Sequence, residues 1–397
     1  MKCVFCLFFA IALIAPLEAA SLPSFEVDRV AAAKYDFSAL RARLEKAVEK
    51  GELPGVSVLV MHRDKVVFKE AFGLLDIENK RPFRIDSVCQ LASTTKWISG
   101  ATLMAAVDEG KLTLDEPVGK YFPPFADMPI KGSDKKGNPT IRQCFSHTSG
   151  LPGFTDFTIS RDHSVPESVE LLAKTVRVLE FEPGSAFHYG NTGMQVAGGA
   201  IAKATGKSFQ DYMQEKILTP LGMKDTTFNP GSDLMKRAGK AYHRKPGGGF
   251  QEVNLRSLRD DGNVKGALVA GGLLSSLDDY ARFLTMMRHD GRYGGRQVLS
   301  AQAAQEVQKD QTRGARIDMS PYRGQKGYGF GVALLPIQGK ADAIRLGDGG
   351  ALGTYAWIDR DLESIGLFFA QETLADIGAL SSHDVPELVR EAVERVR

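Results

Sequence analysis

Beyond its first twenty residues the chain is nearly free of cysteine: Cys3 and Cys6 fall in the leader, and only Cys89 and Cys144 remain among 397 residues. That excludes a disulfide scaffold, and because both stand in apolar surroundings they read as buried thiols. Charge of one sign is also missing, since 50 Lys and Arg face 48 Asp and Glu, spread evenly to a net +2. No electrostatic footing exists for nucleic acid or a charged membrane surface, so neither is expected as a partner. The seven histidines show no H-E-x-x-H spacing and the two cysteines have no neighbouring ligands, so no metal is implied. A Gly-rich phosphate or dinucleotide loop is absent, which leaves no cofactor, and so is the G-x-S-x-G elbow. After the leader no apolar run reaches the roughly 18 to 20 residues of a spanning helix, so no stable membrane insertion is expected.

What is present begins with Lys2, an apolar run from Val4 to Ala15, Pro16 and the small-residue end Ala19-Ala20-Ser21. This reads as a secretory signal peptide over residues 1–20, giving a periplasmic or secreted protein, with an uncleaved N-terminal anchor as the alternative. Phe37 to Lys50 has helical spacing and stops at Gly51. Gly55–Met61 and Lys65–Phe72 are apolar, β-branched runs across the polar turn Arg63-Asp64, a hairpin. Ser93 to Glu109 is helical but apolar on more than one face, hence buried on most sides. Short helical stretches separated by Pro and Gly follow, the clearest at Ser168–Arg177 and Met194–Gly206, with exposed loops at Lys131–Thr140 and Arg244–Asn263. Strand text returns at Tyr328–Leu335, Gly353–Ile358 and Ile365–Ala370, after a helix at Leu277–Met287, and a last helix starts at Pro386. Strands at both chain ends around a helical middle predict an α+β fold: an antiparallel sheet flanked by helices, with an inserted helical lobe. Residues 21–109 and 266–397 form the sheet lobe and 110–265 the mostly helical lobe, within one domain of roughly residues 37–390.

At the start of the buried helix, Leu91-Ala92-Ser93-Thr94-Thr95-Lys96 places a hydroxyl and an amine three residues apart on one helical face. A serine hydroxyl needs a neighbouring base, and a lysine in an apolar site loses its charge more easily, so Lys96 qualifies as base or proton carrier. The Ser93 N–H, in the first turn, is an orphan donor for a developing oxyanion. Spacing alone settles nothing, because it recurs at Ser133–Lys136 in a polar loop and Ser93 would equally serve as a helix N-cap. Support comes from Tyr189-Gly190-Asn191, which precedes an apolar helix. A phenol beside a lysine ammonium can titrate low enough to act as a base, and the Asn191 amide can orient the amine and a substrate carbonyl. Alone, Tyr189 would read as a core aromatic.

With these residues in view, the chain resembles the serine β-lactamase and penicillin-binding-protein superfamily, in particular its branch related to class C β-lactamases, which includes family VIII carboxylesterases and D-amino-acid peptidases. Phe145-Ser146-His147-Thr148-Ser149-Gly150-Leu151, Asp108-Glu109-Gly110-Lys111-Leu112 and Gly271-Gly272-Leu273 extend the similarity. The resemblance implies a β-lactamase/transpeptidase-like fold, Ser93 as acylated nucleophile, Lys96 and Tyr189 as acid–base pair, and Asn191 as a substrate contact. It makes His147 a structural residue near the site, against the alternative of a catalytic base. It also aligns Gly347-Asp348-Gly349-Gly350-Ala351 with the third motif, where the family carries a cation, so that Asp348, Gly349, Gly350 and Ala351 line the substrate and the Ala351 N–H is the second oxyanion donor.

Asp348 departs from that pattern. A carboxylate about 5 Å from a substrate carboxylate, at an effective dielectric of about 20, costs roughly 3 kcal/mol. Either the site prefers neutral or cationic esters and amides, or Asp348, in an Asp-Gly turn dipeptide, points away. The expected protein is thus an exported serine hydrolase acting on a small-molecule ester, amide or peptide. A β-lactamase or D-alanyl-D-alanine carboxypeptidase type of cell-wall hydrolase is the alternative, and a non-catalytic binding or sensor module the second.

Overall fold

The computed structural model describes residues 25–154, 162–253, 264–322, 324–373 and 378–396. The signal-peptide expectation for residues 1–20 lies outside them, as does the second half, residues 254–263, of the loop expected at Arg244–Asn263. A helix, α1 (Ser38–Glu49), leads into the hairpin of β1 (Gly55–His62) and β2 (Lys65–Asp76), followed by the short β3 (Arg81–Pro82). The buried helix α2 (Thr95–Asp108) comes next, then α3 (Thr192–Thr205) and α4 (Leu277–Arg288). Five further strands complete the sheet: β4 (Gly327–Tyr328), β5 (Ala333–Ile337), β6 (Lys340–Gly349), β7 (Thr354–Asp359) and β8 (Ser364–Ala370), before the C-terminal α5 (Val385–Glu394). The eight strands run in the order β4-β5-β6-β7-β8-β1-β2-β3, each antiparallel to its neighbours.

The central strands are apolar at nearly every position because both faces of the sheet are covered. Side chains alternate between faces. Val56, Val58, Val60, Trp357 and Phe368 therefore pack with α1 and α5 in one core, while Leu59, Met61, Ile358, Leu367 and Phe369 pack with α2 and α4 in the other. Gly366 lets the Trp357 ring lie flat on the sheet, since a Cβ there would fall 1.9 Å from the indole. The larger core continues without a break into the middle of the chain, through Phe122, Phe145, Val196 and Phe209. Here the chain forms short helices and two-stranded ribbons, one of which pairs Ala186–His188 in parallel with Arg316–Met319.

Two expectations change in detail. The run Tyr328–Leu335 is broken between β4 and β5 at residues 329–332, where Gly331 has φ of +87° and a Cβ would stand 2.1 Å from the Lys96 carbonyl oxygen. Ser93 lies in a 3-10 turn, Ala92–Thr94, rather than in the α-helix itself. Among the described residues no helix is long and apolar enough to cross a membrane, and Cys89 and Cys144 are buried and unbridged.

Candidate active site

The turn that carries Ser93 is clamped from three directions. Leu91 N–H donates to Leu273 O at 2.9 Å, the Thr354 hydroxyl donates to Leu91 O at 2.7 Å, and the Tyr280 hydroxyl donates to Thr94 O at 2.7 Å. Between these anchors Ala92 is held at φ +46°, a left-handed conformation that costs a residue with a Cβ about 1 to 2 kcal/mol. The surrounding contacts sustain that strain, and Ser93 stands half-buried at the head of α2.

Lys96 is fully buried one turn on. Its Nζ lies 3.0 Å from Ser93 Oγ, 2.9 Å from Asn191 Oδ1 and 2.9 Å from the Ala270 carbonyl oxygen. Asn191 occupies the cap position of α3 but makes no capping hydrogen bond, which frees its side chain for the amine. The Ala270 carbonyl is set by the neighbouring backbone: the Ser99 hydroxyl donates to Val269 O at 2.6 Å, and Gln195 brackets the same segment by accepting from Val269 N–H and donating to Ala267 O. Burial lowers the Lys96 amine to about 7, with the Asp348 carboxylate acting in the opposite direction.

The hydrogen-bond inventory of that amine is informative. Asn191 Oδ1 and Ala270 O accept only, so Lys96 must donate to both. A neutral amine has two protons and one lone pair, and the lone pair is then left facing Ser93 Oγ. The arrangement suits a base that takes the serine proton.

Tyr189 enters from the other side. It follows the ribbon strand Ala186–His188, its N–H donates to Met319 O at 3.0 Å, and its hydroxyl lies near those of Ser93 and Tyr322. The Lys96 Nζ sits 4.8 Å from its ring centroid. The expectation that a lysine ammonium would pull this phenol low is not met. Burial, and after it the Asp348 charge, push Tyr189 well above the usual tyrosine range. Tyr189 therefore keeps its proton at rest.

The third-motif residues divide. Gly349 and Ala351 line the cleft together with Ala92, Ser93, Tyr189 and Asn191. Gly350 is packed against the Leu91 carbonyl oxygen, which a Cβ would approach to 2.0 Å, so it sets the spacing between β6 and the nucleophile turn instead of facing substrate. Asp348, expected as a substrate contact, has no exposed surface. The hydroxyl of Tyr322 stands between it and the cleft, donating to Asp348 Oδ1 at 2.5 Å and accepting from Gly349 N–H at 3.2 Å. Burial raises the Asp348 carboxyl to about 7 against the lowering effect of Tyr322 and Lys96. Neither Ser93 N–H nor Ala351 N–H makes a backbone hydrogen bond among the described residues, which leaves both for an oxyanion.

His147 has φ of +59°, is buried, and packs its ring 4.7 Å from that of Tyr189 and 4.9 Å from that of Tyr328. Burial, and then the Lys96 charge, hold it well below the ordinary histidine value, so it is a neutral wall behind Tyr189. The cleft, about 470 Å³, is completed by Phe154, Leu268, Met319, Pro321 and Tyr322, and no Lys or Arg is among its described lining residues. Sequence reasoning did not single out Tyr322, Ala270 or Gln195. Only the Ser320-Pro321-Tyr322 turn, an aromatic next to a turn-forming proline, offers a signal, and only for the first.

The chain is similar to known proteins over most of its length. An uncharacterized protein of Mycobacterium tuberculosis is 29% identical over 343 residues, 80% of this chain and 83% of that one. The esterase EstB of Burkholderia gladioli is 31% identical over 211 residues, 49% of this chain and 53% of the esterase. A putative β-lactamase from Bacteroides dorei superposes with a TM-score of 0.69 at 28% identity, covering 91% of this chain and 99% of that one. The shared architecture is the β-lactamase/transpeptidase-like fold, and the Beta-lactamase family model matches residues 40–376. A clamped serine turn on a buried helix, an amine and a phenol on its two flanks, and that match over most of the chain lead to one conclusion: the chain belongs to the Beta-lactamase family.

Proposed function

We propose that this Beta-lactamase-family serine hydrolase or acyltransferase works through an acyl-enzyme on Ser93, with neutral esters or amides as substrates. The observation that carries the reading is the Lys96 amine, which must give both protons of its neutral form to Asn191 Oδ1 and Ala270 O and so directs its lone pair at the Ser93 hydroxyl. Lys96 takes the serine proton as Oγ attacks. The Ser93 and Ala351 amides hold the oxyanion, Tyr189 protonates the leaving group, and Asn191 keeps the amine in register while contacting the substrate.

The substrate preference rests on the walls. Phe154, Leu268, Met319 and Pro321 offer apolar surface, and Phe154 and Met319 are 63% and 50% exposed. Where the family's third motif carries a cation, the described wall has a phenol over a buried carboxyl. A β-lactam or a C-terminal carboxylate finds no counter-ion there, which favours an ester with an apolar acyl group. The esterase activity in the name of the Burkholderia gladioli relative agrees with this direction. The leader of residues 1–20 supports export, so the working compartment we assign is the periplasm or the exterior.

The test is mass spectrometry after treatment with a fluorophosphonate. We expect one adduct, on the peptide that contains Ser93, and none in Ser93→Ala. An unmodified Ser93 in folded protein would sink the acyl-enzyme reading and leave a binding module. Turnover of a cephalosporin faster than that of a short-chain p-nitrophenyl ester would overturn the substrate preference alone.

A further inference from the structure

Leaving-group protonation by Tyr189 creates a problem that the Ser93–Lys96 pair does not solve. Once Tyr189 has given up its proton it is a phenolate in a buried site, the form that burial disfavours most. Lys96 is committed to the serine proton. A second proton source is needed on the far side of Tyr189, and a second phenol and a buried carboxyl stand there. The Tyr189 and Tyr322 rings meet edge to face at 6.1 Å, and the Tyr322 hydroxyl is bonded to Asp348 Oδ1. Asp348 has no exposed surface, and its Oδ2 has no hydrogen-bond partner among the described residues. A carboxyl so placed is costly as an anion and is suited to hold a proton.

We propose that Tyr322 and Asp348 form a proton-return arm that resupplies Tyr189 during acyl transfer, with Asp348 as the terminal proton store. Both act through Tyr189 and are positioning residues. The inference rests on the acyl-enzyme reading above. At rest Lys96 is neutral and Asp348 is protonated on Oδ1, so that in this state the carboxyl donates to the Tyr322 hydroxyl and the Tyr322 proton turns to Tyr189. In acylation the Ser93 Oγ–acyl carbon bond forms and the bond from acyl carbon to leaving oxygen breaks. The Ser93 proton passes to Lys96 and the Tyr189 proton to the leaving oxygen, while the Tyr322 proton moves to Tyr189 and the Asp348 proton to Tyr322. The acyl-enzyme therefore carries one positive charge on Lys96 and one negative charge on Asp348, and each of these groups stabilises the charged form of the other. When water attacks, its proton returns along Tyr189 and Tyr322 to Asp348, Lys96 gives its proton back to Ser93 Oγ, and the resting state is restored with no proton gained or lost.

The groups facing this path come from several elements: Lys96 on α2, Tyr280 on α4, Tyr328 on β4, Tyr355 on β7, and His147 and Tyr189 in loops. Burial keeps the phenols protonated and the imidazole neutral through the neutral range. Only Lys96 and Asp348 are left to titrate there, and they do so as a pair.

The test uses two esters of one apolar acid, an ethyl ester, whose alkoxide must be protonated to leave, and a p-nitrophenyl ester, whose leaving group needs no proton. For Tyr322→Phe we expect kcat/KM to fall about a hundredfold or more on the ethyl ester and less than about tenfold on the p-nitrophenyl ester. Asp348→Asn keeps an acceptor for Tyr322 but stores no acid proton, so the same split is expected. The alkaline limb of the ethyl-ester pH profile should also disappear in this variant. Equal losses on the two esters, or no loss, in either variant that folds would overturn the proton-return arm. Full fluorophosphonate labelling of Ser93 in the same variants would show that the acyl-enzyme reading survives that failure.

Discussion

The chain contains the same four-residue spacing twice, and the two copies have different fates. Ser93 and Lys96 lie at the head of α2 with the amine fully buried, whereas Ser133 and Lys136 lie exposed on a short surface hairpin where the Ser133 hydroxyl accepts from the Lys135 N–H. The difference is not in the residues but in what meets them. At the first site Asn191 and the Ala270 carbonyl converge on the amine from two other segments, and burial strips part of its charge. At the second, water solvates both groups. The comparison teaches that the spacing aligns two side chains and the tertiary surroundings supply the reactivity.

The strongest test of that lesson is paired substitution. Ser93→Ala should lower ester turnover at least about a thousandfold, while Ser133→Ala should leave it unchanged within twofold. Lys96→Ala should follow with a loss of about a hundred- to ten-thousandfold, against no measurable loss for Lys136→Ala. Lys96→Arg should be as inactive as Lys96→Ala, because a guanidinium keeps its charge and has no lone pair to offer. Steady-state kinetics on one neutral ester checks all five, and comparable losses at the two sites would erase the distinction.

A smaller effect is expected from pH. Burial is the main cause of the low Lys96 value, about 7, and the base is active when neutral. As pH falls through that value the amine gains a proton, its lone pair is lost, and kcat/KM should drop roughly tenfold per unit on the acid side. Asp348 works against burial by favouring the charged amine, so Asp348→Asn should move this limb to lower pH. A limb unmoved by that change, or moved upward, would show that the two groups do not sense each other.

Much of this could be read before the fold was known, for physical reasons that differ by element. Val56 to Val60 and Ile365 to Phe369 announce strands because both faces of the sheet are covered, and α1 and α3 end at glycines that take left-handed conformations at positions 51 and 206. Ser93, Lys96, Tyr189 and Asn191 could be nominated because each is a reactive or polar side chain in an otherwise apolar stretch, and the fold brings all four together, three lining the cleft and Lys96 buried against Ser93 and Asn191. Ala270 could not be nominated, since it contributes a backbone carbonyl that any residue would supply. Tyr322 gains its meaning only when a loop folds back over Asp348. The direction of the Tyr189 shift was misjudged because a neighbouring cation is visible in a sequence, whereas the depth of burial that outweighs it is not.

Two glycines sharpen the contrast at the level of a single methyl group. Gly331 and Gly132 both have positive φ, +87° and +72°, and each lies next to one copy of the serine–lysine spacing, Gly331 in space and Gly132 in sequence. A Cβ on Gly331 would stand 2.1 Å from the Lys96 carbonyl oxygen, while a Cβ on Gly132 meets nothing within 4 Å. Gly132→Ala therefore carries only the backbone strain, about 1 kcal/mol of stability. Gly331→Ala adds overpacking against the backbone of α2, for about 3 kcal/mol in all. Because that backbone holds Lys96, Gly331→Ala should also lower kcat, whereas Gly132→Ala should not. Denaturant unfolding separates the two strain terms. Equal stability losses with unchanged kcat in both variants would mean that the close approach of residues 329–332 to α2 does not hold the amine in place.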